Sequence, residues 1–196
     1  RGLPFIYQGE EIGMSNRRWQ SIDEFDDVET YGQYEMALIN GKTPEEALAL
    51  MNQRSRDNSR TPMQWDDSAN AGFTSGKPWL PVNENYTKVN VQIEEGDSAS
   101  LLNFYKKLID LRTNSPYKDV FAYGDIEEIA DAGENVIAFK RSDGKKTVEV
   151  WINFDKSGAV VSKVDKGHRL ISNYDSEAGK ETIFRPYEAC IIAADE

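Results

Sequence analysis

Apolar and polar positions divide the chain into stretches of different period. The first apolar run, Leu3-Pro-Phe-Ile-Tyr7, is short and continuous, the pattern of a strand buried on both faces. Gly9 and Gly13 then punctuate a turn that holds Glu10 and Glu11. Side chains adjacent in sequence diverge on a strand or turn, so these glutamates are expected to serve hydrogen bonds at the strand end rather than to face each other across a substrate. A polar segment, Asn16 to Asp27, carries Trp19 and Phe25. Glu29 to Asn40 predicts a helix, with Tyr31, Tyr34, Ala37 and Leu38 along one side and Gly41 as its stop. Thr43-Pro-Glu-Glu46 offers a cap, a proline at the first helical position and a capping-box carboxylate, so a second helix runs to about Gln53. Ser98 to Asn114 has the clearest helical period: Leu101, Leu102, Tyr105, Leu108, Ile109 and Arg112 recur every three or four residues behind Ser98 as cap.

From Val120 the period changes. Short β-branched and aromatic runs at Val120–Tyr123, Val136–Arg141, Val148–Phe154, Ala159–Val164, Arg169–Ser172, Glu181–Phe184 and Ala189–Ala194 alternate with turn signals such as Asp131-Ala-Gly and Ser142-Asp-Gly. Strands at this spacing predict an antiparallel sandwich or barrel. The domain boundary is placed after Asn114-Ser115-Pro116, giving residues 1–116 and 117–196.

Between the helices and that β region lies a long stretch with no sustained period. Its richest part, Arg54 to Trp79, holds three arginines, three aspartates and two tryptophans among the breakers Pro62, Gly72, Gly76 and Pro78. A loop of this length is uncommon unless functional or disordered, and Trp65, Phe73 and Trp79 argue against disorder. Guanidinium forks beside carboxylates and indole faces suit a flat, hydroxyl-rich ligand such as a sugar. The same residues could equally pin the loop to its own backbone, with the tryptophans as plugs over a core.

With 34 acidic against 23 basic residues, net −11, the chain lacks the basic surface that nucleic acid or an anionic membrane would require. No apolar run approaches the roughly 20 residues of a membrane span. Cys190 stands alone, so no internal disulfide forms, and with one histidine, His168, a thiol or imidazole metal cluster is not expected. His168 reads as a surface or structural residue. No cofactor is implied. Beginning at once on a core-type strand, the sequence reads as part of something larger.

Several segments, taken together, resemble one family. Leu3-Pro-Phe-Ile-Tyr-Gln-Gly-Glu-Glu-Ile-Gly-Met14, Asp26-Asp-Val-Glu29, Arg56-Asp-Asn-Ser-Arg-Thr-Pro-Met-Gln-Trp65, Ala71-Gly-Phe73, Pro78-Trp79 and Arg185-Pro-Tyr-Glu-Ala189 are similar, in order, to the C-terminal part of glycoside hydrolase family 13 α-glucosidases, the oligo-1,6-glucosidase, dextran glucosidase and trehalose-6-phosphate hydrolase group. The resemblance implies an α+β piece: the last strand of a (β/α)8 TIM-type barrel at Leu3–Tyr7, an enlarged substrate-side loop from Gln8 to Asp97, the closing helix, and an antiparallel Greek-key β-sandwich. In such barrels the site is built from loops at the strand C-termini.

The family's nucleophile, acid/base and stabilising carboxylates lie on earlier strands. The resemblance therefore implies no catalytic residue in this chain, no activity for the chain alone, and a calcium site, where present, upstream. It assigns Arg56 to the outer hydroxyls of the terminal glucose, Glu29 to the next sugar, and Arg60, less directly, to support of Asp57 or the loop. An oligosaccharide is the expected partner, and the cytoplasm the expected location. Self-association through the orphaned strand is also expected, since a lone parallel strand must find a substitute partner in a dimer or on its own helices. Linkage stays open between α-1,6, α-1,4 and trehalose 6-phosphate, with Arg17 and Arg18 the pair that could meet a phosphate. A stand-alone carbohydrate-binding module is the competing class, disfavoured because Trp151 is the one tryptophan of the β region.

Overall fold

The computed structural model describes residues 2–160, 167–174 and 183–194. The chain forms two compact units, Phe5–Asn103 and a second made of Arg1–Pro4 with Phe104–Glu196.

In the first unit, α1 (Val28–Ile39) and α2 (Pro44–Arg54) lie where their caps predict. The capping box is complete: the Thr43 hydroxyl accepts from the Glu46 amide at 3.2 Å, and the Glu46 carboxylate accepts from the Thr43 amide at 3.0 Å. Trp19, Phe25, Met51 and Leu80 form the core beside these helices, with the rings of Trp19 and Phe25 stacked at 4.6 Å. Asn52 fixes Trp19 by accepting from its backbone amide (2.8 Å) and donating to its carbonyl (3.1 Å).

The stretch after α2 has no long element. It runs through 3-10 turns at Arg56–Ser59, Ala69–Gly72 and Glu84–Thr87 to the short α3 (Val91–Gly96). Side chains order it in place of a backbone ladder. Buried Gln64 donates through Nε2 to Asn85 Oδ1 and to the Val89 carbonyl, while Asn83 and Asn90 cap the next turns. Asn70, Ala71 and Gly72 all adopt left-handed φ, and a Cβ at Gly72 would come within 2.5 Å of the Asp66 carboxylate, so the Ala-Gly-Phe motif is a turn requirement. Helix α4 spans Leu101–Asn114 and starts later than expected: Ser100, not Ser98, accepts from the Asn103 amide at 3.2 Å.

Leu3–Tyr7 is not a strand. No described strand pairs with it, and Leu3 and Phe5, 76% and 88% exposed, find no substitute cover among the described residues. A parallel strand gains stability only from hydrogen bonds to neighbours on either side, which a helix surface cannot supply. Its anchors come at one end: the Tyr7 amide donates to Glu10 Oε2 and its hydroxyl to the Ser59 carbonyl.

The second unit is an antiparallel sheet of five strands in the order β1-β2-β3-β7-β5: Asp125–Glu128, Val136–Ser142, Thr147–Asn153, Ala189–Ala193 and His168–Ser172. A separate two-stranded ladder pairs β4 (Ala159–Val160) with β6 (Ile183–Phe184). Central strand β3 is buried on both faces. On one, Trp151 meets Phe184 edge-on at 6.3 Å within a core of Ala138, Cys190 and Ile192. On the other, Val148 packs against Val120 and Phe121.

Those last two belong to α5 (Lys118–Tyr123), where a strand was expected. A four-residue apolar run fits either period, and here Arg112, one helix earlier, donates to the Phe121 carbonyl (3.0 Å) and holds the turn closed. β1 was not expected: all four residues are exposed and three are acidic, an edge-strand composition with no inward alternation. Residues 161–164 and 181–182 of two expected strands, and the turns near Lys166 and Glu177, lie outside the described residues.

Candidate functional site

The start of α1 and the Arg56–Ser59 turn meet in one cluster of charge. Asp27 stands at the N-cap of α1, yet its side chain makes no bond to the helix amides. It is instead gripped by Arg56, with Nε at 3.2 Å from Oδ2 and Nη2 at 2.5 Å from Oδ1. The Thr30 hydroxyl donates to the same carboxylate at 3.0 Å and also lies 2.8 Å from the Ser55 hydroxyl, which caps the Arg56 turn by accepting from the Asp57 amide.

Asp57 is fully buried beneath. Its Oδ2 accepts from the amides of Asp26 (2.8 Å) and Asp27 (2.9 Å), and its Oδ1 meets Arg60 Nη1 at 3.2 Å. Arg60 thus bridges the two aspartates, with Asp27 at 3.6 Å.

The three residues singled out from the sequence are brought together: Arg56 Nη2 is 3.2 Å from Glu29 Oε2, and Arg60 Nη1 is 3.6 Å from Asp27 Oδ1. Arg56 and Glu29 each keep about half their side chains exposed, at 55%, whereas the Asp27 side chain is 5% exposed. The hub of the cluster is therefore Asp27, to which sequence reasoning gave no role. A signal existed in an N-cap aspartate preceding a glutamate, with an arginine-rich turn elsewhere to receive it.

Hydrogen bonds from Arg56 hold the Asp27 carboxyl below its ordinary range, against the opposing effect of burial, with Thr30 assisting. The same bonds push Arg56 up. The Asp27–Arg56 pair therefore keeps its opposite charges near neutrality and holds a fixed geometry. Among the described residues no three His, Cys, Asp or Glu side chains converge as a metal site.

The aromatic residues are surface, not plugs: Trp65, Phe73 and Trp79 are 50%, 49% and 66% exposed. The Trp79 indole donates to Asp26 Oδ2 at 3.0 Å, which ties it to the residue beside Asp27. Glu10 and Glu11 accept from the amides of Tyr7 and Gly9, the backbone service their spacing implied. Arg17 is committed elsewhere, 2.6 Å from Glu24 and 5.0 Å over Trp19.

Across residues 1–123 the sequence matches the family profile of the alpha-amylase catalytic domain. The chain belongs to the alpha-amylase family. It is 41% identical to the oligo-1,6-glucosidase of Parageobacillus thermoglucosidasius over 96% of its length and 35% of that enzyme's. It is 35% identical to the trehalose-6-phosphate hydrolase of Bacillus subtilis (strain 168), over 97% of the chain and 35% of the relative. Among solved structures, the trehalulose synthase MutB from Pseudomonas mesoacidophila MX-45 superposes with a TM-score of 0.84 at 38% identity, over 98% of this chain and 36% of the other. The chain thus spans about a third of the length of these relatives.

Proposed function

We propose that this chain is the C-terminal part of a retaining, exo-acting α-glucosidase and supplies the wall that grips a terminal glucose. The observation that carries this is the Arg56 clamp. With one edge of the guanidinium fixed on buried Asp27, the half-exposed remainder has a set direction, and a fork of fixed donors distinguishes a sugar end from the middle of a polymer. Glu29, half-exposed and touching that fork, accepts from hydroxyls of the neighbouring sugar; Arg60 is a positioning residue, holding Asp27 and Asp57 in place.

In this reading residues 1–116 complete a barrel, with Leu3–Tyr7 as its last strand, and residues 117–196 are a Greek-key sandwich. The whole enzyme is cytoplasmic. Identity to an oligo-1,6-glucosidase supports α-1,6 linkage. The trehalose 6-phosphate reading loses support because Arg17 is tied to Glu24 and Trp19. A stand-alone binding module loses it because Trp151 is wholly buried, its indole donating to Glu149 at 2.9 Å. Glucose release from isomaltose, maltose and trehalose 6-phosphate is the test. The full-length protein is expected to hydrolyse isomaltose best and the chain alone none of the three; turnover by the chain alone would overturn the division of labour.

A further inference from the structure

Asparagine is followed by glycine once in the chain, at Asn40-Gly41, where α1 gives way to the turn before α2. Elsewhere the asparagine amides are occupied. Of the thirteen asparagines, every one but Asn40 makes a side-chain hydrogen bond. This includes those that precede other small residues. Asn58 donates to the Asn52 carbonyl at 2.9 Å and accepts from the Trp19 indole at 2.7 Å, Asn70 donates to the Gly76 carbonyl at 2.9 Å, and Asn114 donates to Asp110 at 2.7 Å. The Asn40 side chain is exposed and makes no such bond among the described residues.

The backbone beside it is open too. Gly41 has φ +83° and no atom within 4 Å of where a Cβ would stand, so nothing shields its nitrogen from a neighbouring side chain. Its N–H donates to the Leu38 carbonyl at 2.9 Å and the Lys42 N–H to that of Ala37 at 3.1 Å, the pairing that closes a helix on glycine. These two bonds at an exposed helix end are what must open to free the Gly41 nitrogen, and such ends open at little cost. Lys42 adds a positive charge that favours loss of the Gly41 amide proton.

We propose that Asn40 is a site of spontaneous, base-promoted deamidation. Hydroxide removes the Gly41 amide proton, and the nitrogen bonds to the side-chain carbonyl carbon of Asn40. The bond from that carbon to the side-chain nitrogen breaks, and the nitrogen leaves as ammonia after taking a proton from water. Water then opens the cyclic imide. Cleavage at the side-chain carbonyl carbon gives aspartate; cleavage at the main-chain one gives an isoaspartyl link, with the backbone routed through the side chain. Either product sets a carboxylate at the C-terminus of α1, the end at which the helix dipole disfavours negative charge. Asp143-Gly144, the corresponding pair with an acid, is closed to this chemistry. Its carboxylate accepts from the amides of Lys146 at 2.8 Å and Lys145 at 2.9 Å, which hold it in place as an anion.

The test is incubation of the folded full-length protein in mildly alkaline buffer, followed by peptide mapping with mass spectrometry and by methyl transfer from S-adenosylmethionine with an isoaspartyl methyltransferase. The Asn40 peptide is expected to convert before that of any other asparagine in this chain, giving two separable products of one mass in which NH has become O. Conversion is expected to slow in mildly acidic buffer. In urea the peptides of Asn58 and Asn114 are expected to convert as well, since their side chains are then released. Asn40→Gln, whose longer side chain would have to close a larger ring, is expected to lose the methyl label. An Asn40 amide that survives the alkaline incubation, conversion of Asn58 or Asn114 as fast as Asn40 in the folded protein, or an undiminished label in Asn40→Gln would each overturn the proposal.

Discussion

Arg56 lies side-on to Asp27, with two guanidinium nitrogens on two carboxylate oxygens at 3.2 and 2.5 Å. The pair is asymmetric, since the carboxylate is buried and the guanidinium half in solvent. Lysine keeps the charge but offers a single point on a flexible stem, so it cannot span both oxygens and point outward at once. In the full-length enzyme, Arg56→Lys is expected to lower kcat/KM for isomaltose by on the order of 100-fold while the melting temperature stays within a few degrees. Near-normal kcat/KM in the lysine variant would remove the clamp from substrate recognition.

Asp27→Ala differs in kind. It removes the buried carboxylate that Arg56, Arg60 and Thr30 share. Loss of a buried charged partner is expected to cost roughly 2–5 kcal/mol in substrate binding or transition-state stabilisation, and to reduce stability as well. Steady-state kinetics beside a urea titration separate the two effects; a variant impaired only in stability would make the cluster purely architectural.

The pH dependence has a defined sign. Hydrogen bonds from Arg56 hold Asp27 below its ordinary 3.8. For Glu188 burial acts to raise the carboxyl, but Arg185 at 3.1 Å, helped by Arg169, brings it below its ordinary 4.5. Both groups bind fewer protons folded than unfolded, so their contribution is complete above the unfolded values and is lost as pH falls through the depressed folded ones. The thermal midpoint is expected to be flat above about pH 5 and to fall steadily below about pH 4. A midpoint that rises on acidification through this range would contradict the assignment.

Burial raises the Cys190 thiol to about 11. Its neighbour in register, Trp151, shares the same core. Iodoacetamide at pH 8 is expected to leave the native thiol unmodified and to alkylate it in urea. Trp151→Ala, which opens a cavity and removes one donor from buried Glu149, is expected to cost about 3–5 kcal/mol and to make Cys190 reactive without denaturant. Mass spectrometry of the alkylated chain reads both.

Leu3 and Phe5 leave an apolar run in solvent. The 196-residue chain is expected to sediment as a dimer or larger species, and Leu3→Ser with Phe5→Ser to return it to monomer. Sedimentation velocity decides, and a monomeric parent chain would sink the expectation.

What could be read in advance was local. Thr43-Pro44-Glu46 carries its own geometry, as does Gly41 at a positive φ, so α1 and α2 lie within a residue or two of expectation. The failures are places where partners decide. Val120-Phe-Ala-Tyr123 is helical because Arg112 and Val148 fix its turn and its face, and both lie outside the run. Asp125–Glu128 is a strand only through its register with β2. In the site, Arg56, Glu29 and Arg60 were legible as residue types with an expected role. Asp27 was not, because its importance comes from facing a turn some thirty residues away.

The strand order places β7 (Ala189–Ala193) between β3 and β5. A ribosome translating this chain has therefore made every other strand of the sheet before the one that joins β5 to the rest. Until Ala193 emerges, β3 exposes an open edge and β5 has no neighbour among the described strands, so the nascent β region is expected to stay open to proteolysis until the last strand is made.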